Sequence, residues 1–149
     1  MTVDVLQQTE YMTGFIIERS SKKMKQSFQQ VLKDHDFNIT VDQWVVLQEL
    51  NQSNGQGQIE LASKTFKDAP TITRIIDILC KKAYVERVPN PTDRRRFKVC
   101  LTKHGKQLVS QVMPHVHLFR QKAYAGLNHK QLEQLKVALN HIFENLNTI

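Results

Sequence analysis

The chain has 149 residues, of which 40% are hydrophobic and 23% charged. That is an ordinary globular composition, which excludes a chain that is disordered throughout. Five glycines and four prolines exclude a fibrous or low-complexity chain, and no apolar run is long enough for a membrane span. The opening MTVDVLQQTE lacks the basic start and apolar core of a secretory signal. Two cysteines, Cys80 and Cys100, cannot build a disulfide framework, so a reducing cytoplasm is the expected setting.

Lys and Arg number 21 against 14 Asp and Glu, giving +7. The excess is local. Between Glu60 and Lys106 stand twelve basic and five acidic residues, and the rest of the chain carries nine of each sign. A polyanion would be drawn to that segment. A solvated basic face without a partner is the plain alternative.

In chain order, residues 9–33 read as a helix, with Met12, Phe15, Ile16, Met24, Phe28, Val31 and Leu32 near one stripe. A second helix begins after Thr40, where Thr40-Val41-Asp42-Gln43 has the capping-box pattern. Its apolar side is Val41, Trp44, Val45 and Leu47. Asn51 to Gly57 reads as a loop. A short helix from Gln58 to Phe66 is expected to turn Ile59, Leu61 and Ala62 inward.

Asp68 or Ala69 is the expected cap of the next helix, with Pro70 in its first turn. That helix, Pro70 to Lys82, carries Ile72, Ile75, Ile76, Leu79 and Ala83 at helical spacing, with Thr71, Thr73, Arg74 and Asp77 on or near the outer face. After Ala83 the period falls to two. Tyr84 to Val88 is one predicted strand. In a second, Phe97, Val99 and Leu101 alternate with Arg96, Lys98 and Cys100. Pro89 to Arg95 is the expected loop between them, kept out of the ladder by two prolines. Residues 103–125 read as a helix interrupted at Pro114. Asn128 and Gln131 cap a last helix, whose Leu132, Leu135, Leu139, Ile142 and Leu146 are spaced as a coiled-coil seam.

The fold class is therefore mainly α with a small β-hairpin, a winged helix-turn-helix with an added helical part. The wing arginines Arg94, Arg95 and Arg96 suit a minor groove, and Thr71, Thr73 and Arg74 suit a major groove. Asp93, on the same tip, is expected to orient a neighbouring arginine through its carboxylate. Lys64, Lys67, Lys81 and Lys82 are candidates for phosphate contact. Trp44 and Cys80 read as core. His115 and His117, two apart, point to different faces, so no metal site is expected there. No nucleophile, phosphate loop or paired-carboxylate pattern supports an enzyme, and no cofactor is implied. A winged-helix module that binds protein and not DNA is the alternative from another class.

Asp93-Arg94-Arg95-Arg96-Phe97-Lys98-Val99-Cys100-Leu101-Thr102, followed by Gly105, fits the wing pattern D-x-R-x-x-x-V-x-L-T of the MarR family of bacterial transcription regulators. Pro70-Thr71-Ile72-Thr73-Arg74 looks like the opening of that family's recognition helix. The helix order agrees too, so the chain resembles the family over nearly its whole length. The resemblance implies an obligate homodimer on a pseudo-palindromic operator, usually a repressor. Residues 34–102 would bind double-stranded DNA, and residues 1–33 and 103–149 would form the dimer. Arg95 would be the minor-groove arginine, with Asp93 orienting it. A small, often phenolic, effector releases many members from DNA. The cysteine that oxidant-sensing members carry in the first helix is missing here. Thr65-Phe66-Lys67 replaces the usual turn, and Ala83 replaces a helix-ending glycine. A left-handed backbone at Ala83 would cost about 1 kcal/mol.

Overall fold

The computed structural model describes the backbone of residues 2–149 and the side chains from Met12 onward. The chain divides into two compact units, residues 1–117 and 118–149. The elements are α1 (Thr2–Asp34), α2 (Val41–Gln52), β1 (Gln56–Gly57), α3 (Gln58–Lys64), α4 (Ala69–Lys81), β2 (Val85–Asn90), β3 (Asp93–Leu101), α5 (Lys103–Ala123) and α6 (His129–Leu146). The mainly helical class with a small antiparallel sheet is as expected. Helix ends differ from the sequence reading by a residue or two, except that α1 starts seven residues earlier.

In the first unit the apolar stripes meet in one core. Phe28 and Leu32 of α1, Trp44, Val46, Leu47 and Leu50 of α2, and Leu61 of α3 are buried. So are Ile72, Ile75, Ile76 and Leu79 of α4, Val85, Val99 and Leu101 of the sheet, and Leu108, Val109, Val112 and Val116 of α5. Trp44 is a core residue, as its spacing predicts. Ile59 corrects the sequence reading: it is 83% exposed. It lies in the first turn of a helix of seven residues, where only Leu61 and Ala62 face inward.

Caps explain the helix starts. Thr40 Oγ1 accepts from the Gln43 main chain and Gln43 Oε1 accepts from the Thr40 main chain, each at 3.1 Å. Asn128 and Gln131 repeat the pattern at α6. Asp68 is the cap of α4, and its carboxylate accepts from Thr71 N at 2.8 Å. That carboxyl is held below its ordinary value by the hydrogen bonds from Thr71.

The segment predicted as a loop from Asn51 to Gly57 is shorter than expected. Asn51 and Gln52 close α2, and Gln56 and Gly57 form β1, which pairs antiparallel with β3 at Gln56–Val99 and Gly57–Lys98. The sheet thus has three strands in the order β1-β3-β2. Gln56 is buried, and its amide Nε2 donates to the Ser53 carbonyl at 2.5 Å and to Glu49 Oε1 at 3.1 Å, which folds the turn under α2.

The wing also departs from expectation. Pro89 opposes Phe97 and Asn90 opposes Asp93, so the ladder runs through the predicted loop and only Pro91 and Thr92 turn. Proline is tolerated because β2 is an edge strand and its register shifts between Pro89 and Asn90. Asn90 Oδ1 accepts from the main chain and the hydroxyl of Thr92, at 3.1 and 2.9 Å, and fixes the turn.

Ala83 lies outside α4, not on its stripe. Its φ is +62°, because Ala83 N and Tyr84 N bond back to Cys80 O and Leu79 O and close the helix with a left-handed residue. The Cβ of Ala83 is strained there. Ala83→Gly is therefore expected to raise unfolding free energy by about 1 kcal/mol, read from urea denaturation.

Asp42 joins α1, α2 and the turn between α3 and α4. Its carboxylate accepts from Lys67 Nζ at 2.8 Å and from Lys25 Nζ at 3.0 Å. Partial burial works to raise the Asp42 pKa, but the two lysines outweigh it and hold the carboxyl below its ordinary 3.8. A depressed carboxyl stabilises the fold above its unfolded pKa, and the gain is lost as pH falls through the folded pKa. Wild type should therefore exceed Asp42→Asn in denaturant midpoint at pH 6, with the gap closing between pH 4 and pH 2. A gap that persisted at pH 2 would show that the lysine pairing is not its source.

Candidate nucleic-acid interface

Helices α3 and α4 form the helix-turn-helix, and the turn between them contains Phe66 at φ +53°. Lys67 N returns to Ala62 O at 2.9 Å and ends α3 in the manner of a glycine turn, with phenylalanine in the glycine's place. The wing follows α4 directly. Arg87 on β2 reaches back to Asp77 on α4 at 2.6 Å, so wing and helix are braced against each other.

The base of the wing is closed by Thr102. Thr102 N donates to Tyr84 O at 3.1 Å, its hydroxyl donates to Ala83 O at 2.6 Å, and the same hydroxyl accepts from Gly105 N at 3.0 Å. A Cβ at position 105 would overlap the Tyr84 carbonyl, so only glycine lets α5 start that close to the wing. The Leu-Thr pair and the glycine three residues on are thus one structural device.

The predicted contact residues fall on two adjoining places. Thr71, Thr73 and Arg74 lie in the first half of α4, and Asp93, Arg94, Arg95 and Arg96 lie on the strand that leaves the wing tip. The side chains of Arg74, Arg94 and Arg95 are exposed and make no hydrogen bond or ion pair among the described residues. Asp93 Oδ1 accepts from the main-chain N of Arg95 at 3.0 Å, while its Oδ2 lies 3.7 Å from Arg96 Nε. The carboxylate therefore pairs with the Arg96 guanidinium. It fixes Arg95 through the backbone and leaves that guanidinium free.

Other cations are occupied within the fold. Lys64 pairs with Glu60 at 3.1 Å and Glu49 at 3.8 Å. Lys67 is held by Asp42, and Lys82 Nζ donates to the Asn38 carbonyl at 2.6 Å. Lys81 is exposed.

Thr73 differs most from the sequence picture. Its hydroxyl donates to Ala69 O at 2.9 Å and accepts from Gln58 Nε2 at 2.6 Å. Gln58 was not visible as a site residue. It lies fifteen positions away on another helix, and no local pattern marks it. Asn54 was hidden for the same reason: its Oδ1 accepts from Leu101 N at 2.9 Å and ties the loop after α2 to the end of the wing.

Both cysteines are half-buried and free. Burial pushes the Cys80 thiol up, against the pull of the nearby Arg87 guanidinium. His115 lies against His35 with ring centroids 3.9 Å apart and the rings tilted by 36°, and it meets Phe37 edge-on at 5.5 Å. His117 does not join that cluster; it lines a cleft between α2 and α5.

The MarR family's sequence model matches residues 39–97. The chain is 30% identical over 115 residues to the uncharacterized HTH-type transcriptional regulator YhbI of Bacillus subtilis, across 77% of this chain and 73% of that protein. It is 28% identical over 134 residues to the HTH-type transcriptional repressor IacR of Pseudomonas putida, across 89% and 78%. Its fold is similar to that of a mutant MarR from E. coli complexed with operator DNA, at a TM-score of 0.80 and 27% identity, over 87% of this chain and 91% of that one. With the braced wing and the exposed arginines beside the helix-turn-helix, these likenesses identify the chain as a member of the MarR family of DNA-binding transcriptional regulators.

Proposed function

We propose that this regulator is a homodimeric repressor that binds a pseudo-palindromic operator. In each protomer α4 enters the major groove and the wing enters the adjoining minor groove. The observation that carries this reading is the contrast between paired and unpaired cations. Lys64, Lys67, Lys82 and Arg87 are held by partners inside the fold, whereas Arg74 on α4 and Arg94 and Arg95 on the wing are exposed and unpaired among the described residues. A guanidinium without an ion pair keeps its donors for a guanine edge or a phosphate, although the Asp68 carboxylate acts on Arg74 through its charge.

The division of labour gives residues 34–102 to DNA, and residues 1–33 and 103–149 to the dimer. Exposed apolar side chains support the second part. Met12, Phe15, Ile16 and Ile17 on α1, and Leu135, Leu139, Ile142 and Leu146 on α6, are all more than a third exposed in the single chain. Helix α6 has no buried residue at all. Stripes of that size on a lone protomer are surfaces for association. Two-fold pairing would set the recognition helices ~34–36 Å apart, one turn of DNA.

Release by a small effector belongs to the same reading. An open cleft lined by Asn51, Lys106, Val109, Met113, Pro114 and His117 is the place this reading gives to such a molecule. IacR of Pseudomonas putida is named a repressor, which supports the sign of regulation proposed here.

Arg95→Ala is expected to weaken operator binding while leaving the melting temperature unchanged, and to flatten the salt dependence of affinity. Arg74→Ala is expected to lose about 1–3 kcal/mol on the selected operator and to relax preference at one base pair in each half-site. Gel shifts at two salt concentrations, with a mismatch series, check both. Full affinity for Arg95→Ala at moderate salt would remove the wing from the interface. Leu139→Lys is expected to convert dimer to monomer in size-exclusion chromatography. A wild-type chain that stays monomeric at micromolar concentration would exclude the two-fold reading.

A further inference from the structure

We propose that Thr73 reads a thymine through its methyl group, and that Gln58 is the positioning residue that gives it this role. The inference rests on the reading that α4 lies in the major groove. A threonine hydroxyl has one hydrogen and two lone pairs. In Thr73 the hydrogen goes to Ala69 O at 2.9 Å, and a lone pair takes the amide hydrogen of Gln58 at 2.6 Å. The hydroxyl therefore has no hydrogen left to donate to a base. Threonine has two accessible rotamers in a helix, and one torsion moves hydroxyl and methyl together. Two bonds on the oxygen therefore fix the methyl as well. One lone pair is left as an acceptor, and the methyl is the group that can meet an apolar feature of a base edge, which in the major groove is the C5-methyl of thymine.

Gln58 is well placed to hold this arrangement. It is the first residue of α3, and the two residues before it are the strand β1, paired with β3 of the wing. Its amide thus ties Thr73 to the same sheet that carries Arg94 and Arg95. Thr71 differs. Its hydroxyl and main chain bond to Asp68 on its own helix, so its position is set locally.

The test uses the full-length protein and an operator selected from random duplex DNA. Each thymine is replaced in turn by deoxyuridine, which lacks only the methyl, and affinities are compared. Wild type is expected to lose roughly fourfold at one thymine per half-site, the factor for burial of one methyl group. Thr73→Ser keeps the hydroxyl and drops the methyl, so it should bind the thymine and uracil duplexes alike. Thr73→Val keeps a methyl, and its one strongly preferred helical rotamer holds it without the hydroxyl bonds, so it should still discriminate. Gln58→Met keeps length without the amide; it should lose most of the discrimination while its melting temperature stays close to wild type. Discrimination retained at the same position by Thr73→Ser, or absent everywhere in wild type, overturns the proposal. Failure of wild type to select any duplex would remove the DNA-binding reading beneath it, a result distinct from loss of the methyl effect alone.

Discussion

The geometry of the interface depends on one junction, where the chain leaves a helix, makes a hairpin and enters another helix within about twenty residues. Thr102 closes it. One hydroxyl bonds to Ala83 at the end of α4 and to Gly105 in the first turn of α5, while the Thr102 main chain bonds to Tyr84 at the start of the wing. The angle between recognition helix and wing is set there and reinforced by the Arg87–Asp77 pair. Two backbone requirements come with it. Position 105 must lack a Cβ, and position 83 must be left-handed. The sequence meets the first with glycine. It meets the second with alanine, and that strain is offset by the bonds that Ala83 and Tyr84 make back to α4.

Charge is used in two ways. Near the axis of the helix-turn-helix, lysines act as struts: Lys67 binds Asp42, Lys82 binds the Asn38 carbonyl, and Lys64 binds Glu60 and Glu49. Arg74, Arg94 and Arg95, by contrast, are exposed and have no ion pair among the described residues. An exposed ion pair contributes little to stability, so pairing at Lys64 chiefly withdraws its charge from the solvent-facing field. The excess of basic residues between Glu60 and Lys106 thus overstates the number available to a polyanion. Asp93 is the exception among the acids near the tip. It bonds the Arg95 main chain and lies beside the Arg96 side chain, so it shapes the tip without neutralising Arg95.

Sequence periodicity made the elements legible because burial is local to each helix face. Ile72, Ile75, Ile76 and Leu79 are buried as their spacing implies, and the capping boxes at Thr40 and Asn128 start helices where they should. It failed where one residue obeys a neighbour outside its own element. Ile59 has the right spacing but sits in the first turn of a helix too short to bury it. Pro89 is in the ladder because β2 has a free edge, a property of sheet order that the strand's own residues do not encode. Gln56 and Gly57 look like loop because a two-residue strand has no period to detect.

The candidate site shows the same division more sharply. The exposed arginines of α4 and the wing were legible, since helical spacing and a wing motif mark them. The uncharged residues that bond across elements behind them were not. Gln58 reaches Thr73 across fifteen positions and Asn54 reaches Leu101 across forty-seven, each with a single hydrogen bond. Neither residue is buried enough to leave a hydrophobic trace or charged enough to leave an electrostatic one. Yet one such bond changes what a contact residue can offer. Read alone, Thr73 offers a free hydroxyl on α4; with Ala69 and Gln58 attached, the hydrogen of that hydroxyl is committed. Uncharged side chains behind α4 therefore decide which polar atoms its exposed face has left to offer, and the exposed face by itself does not show this.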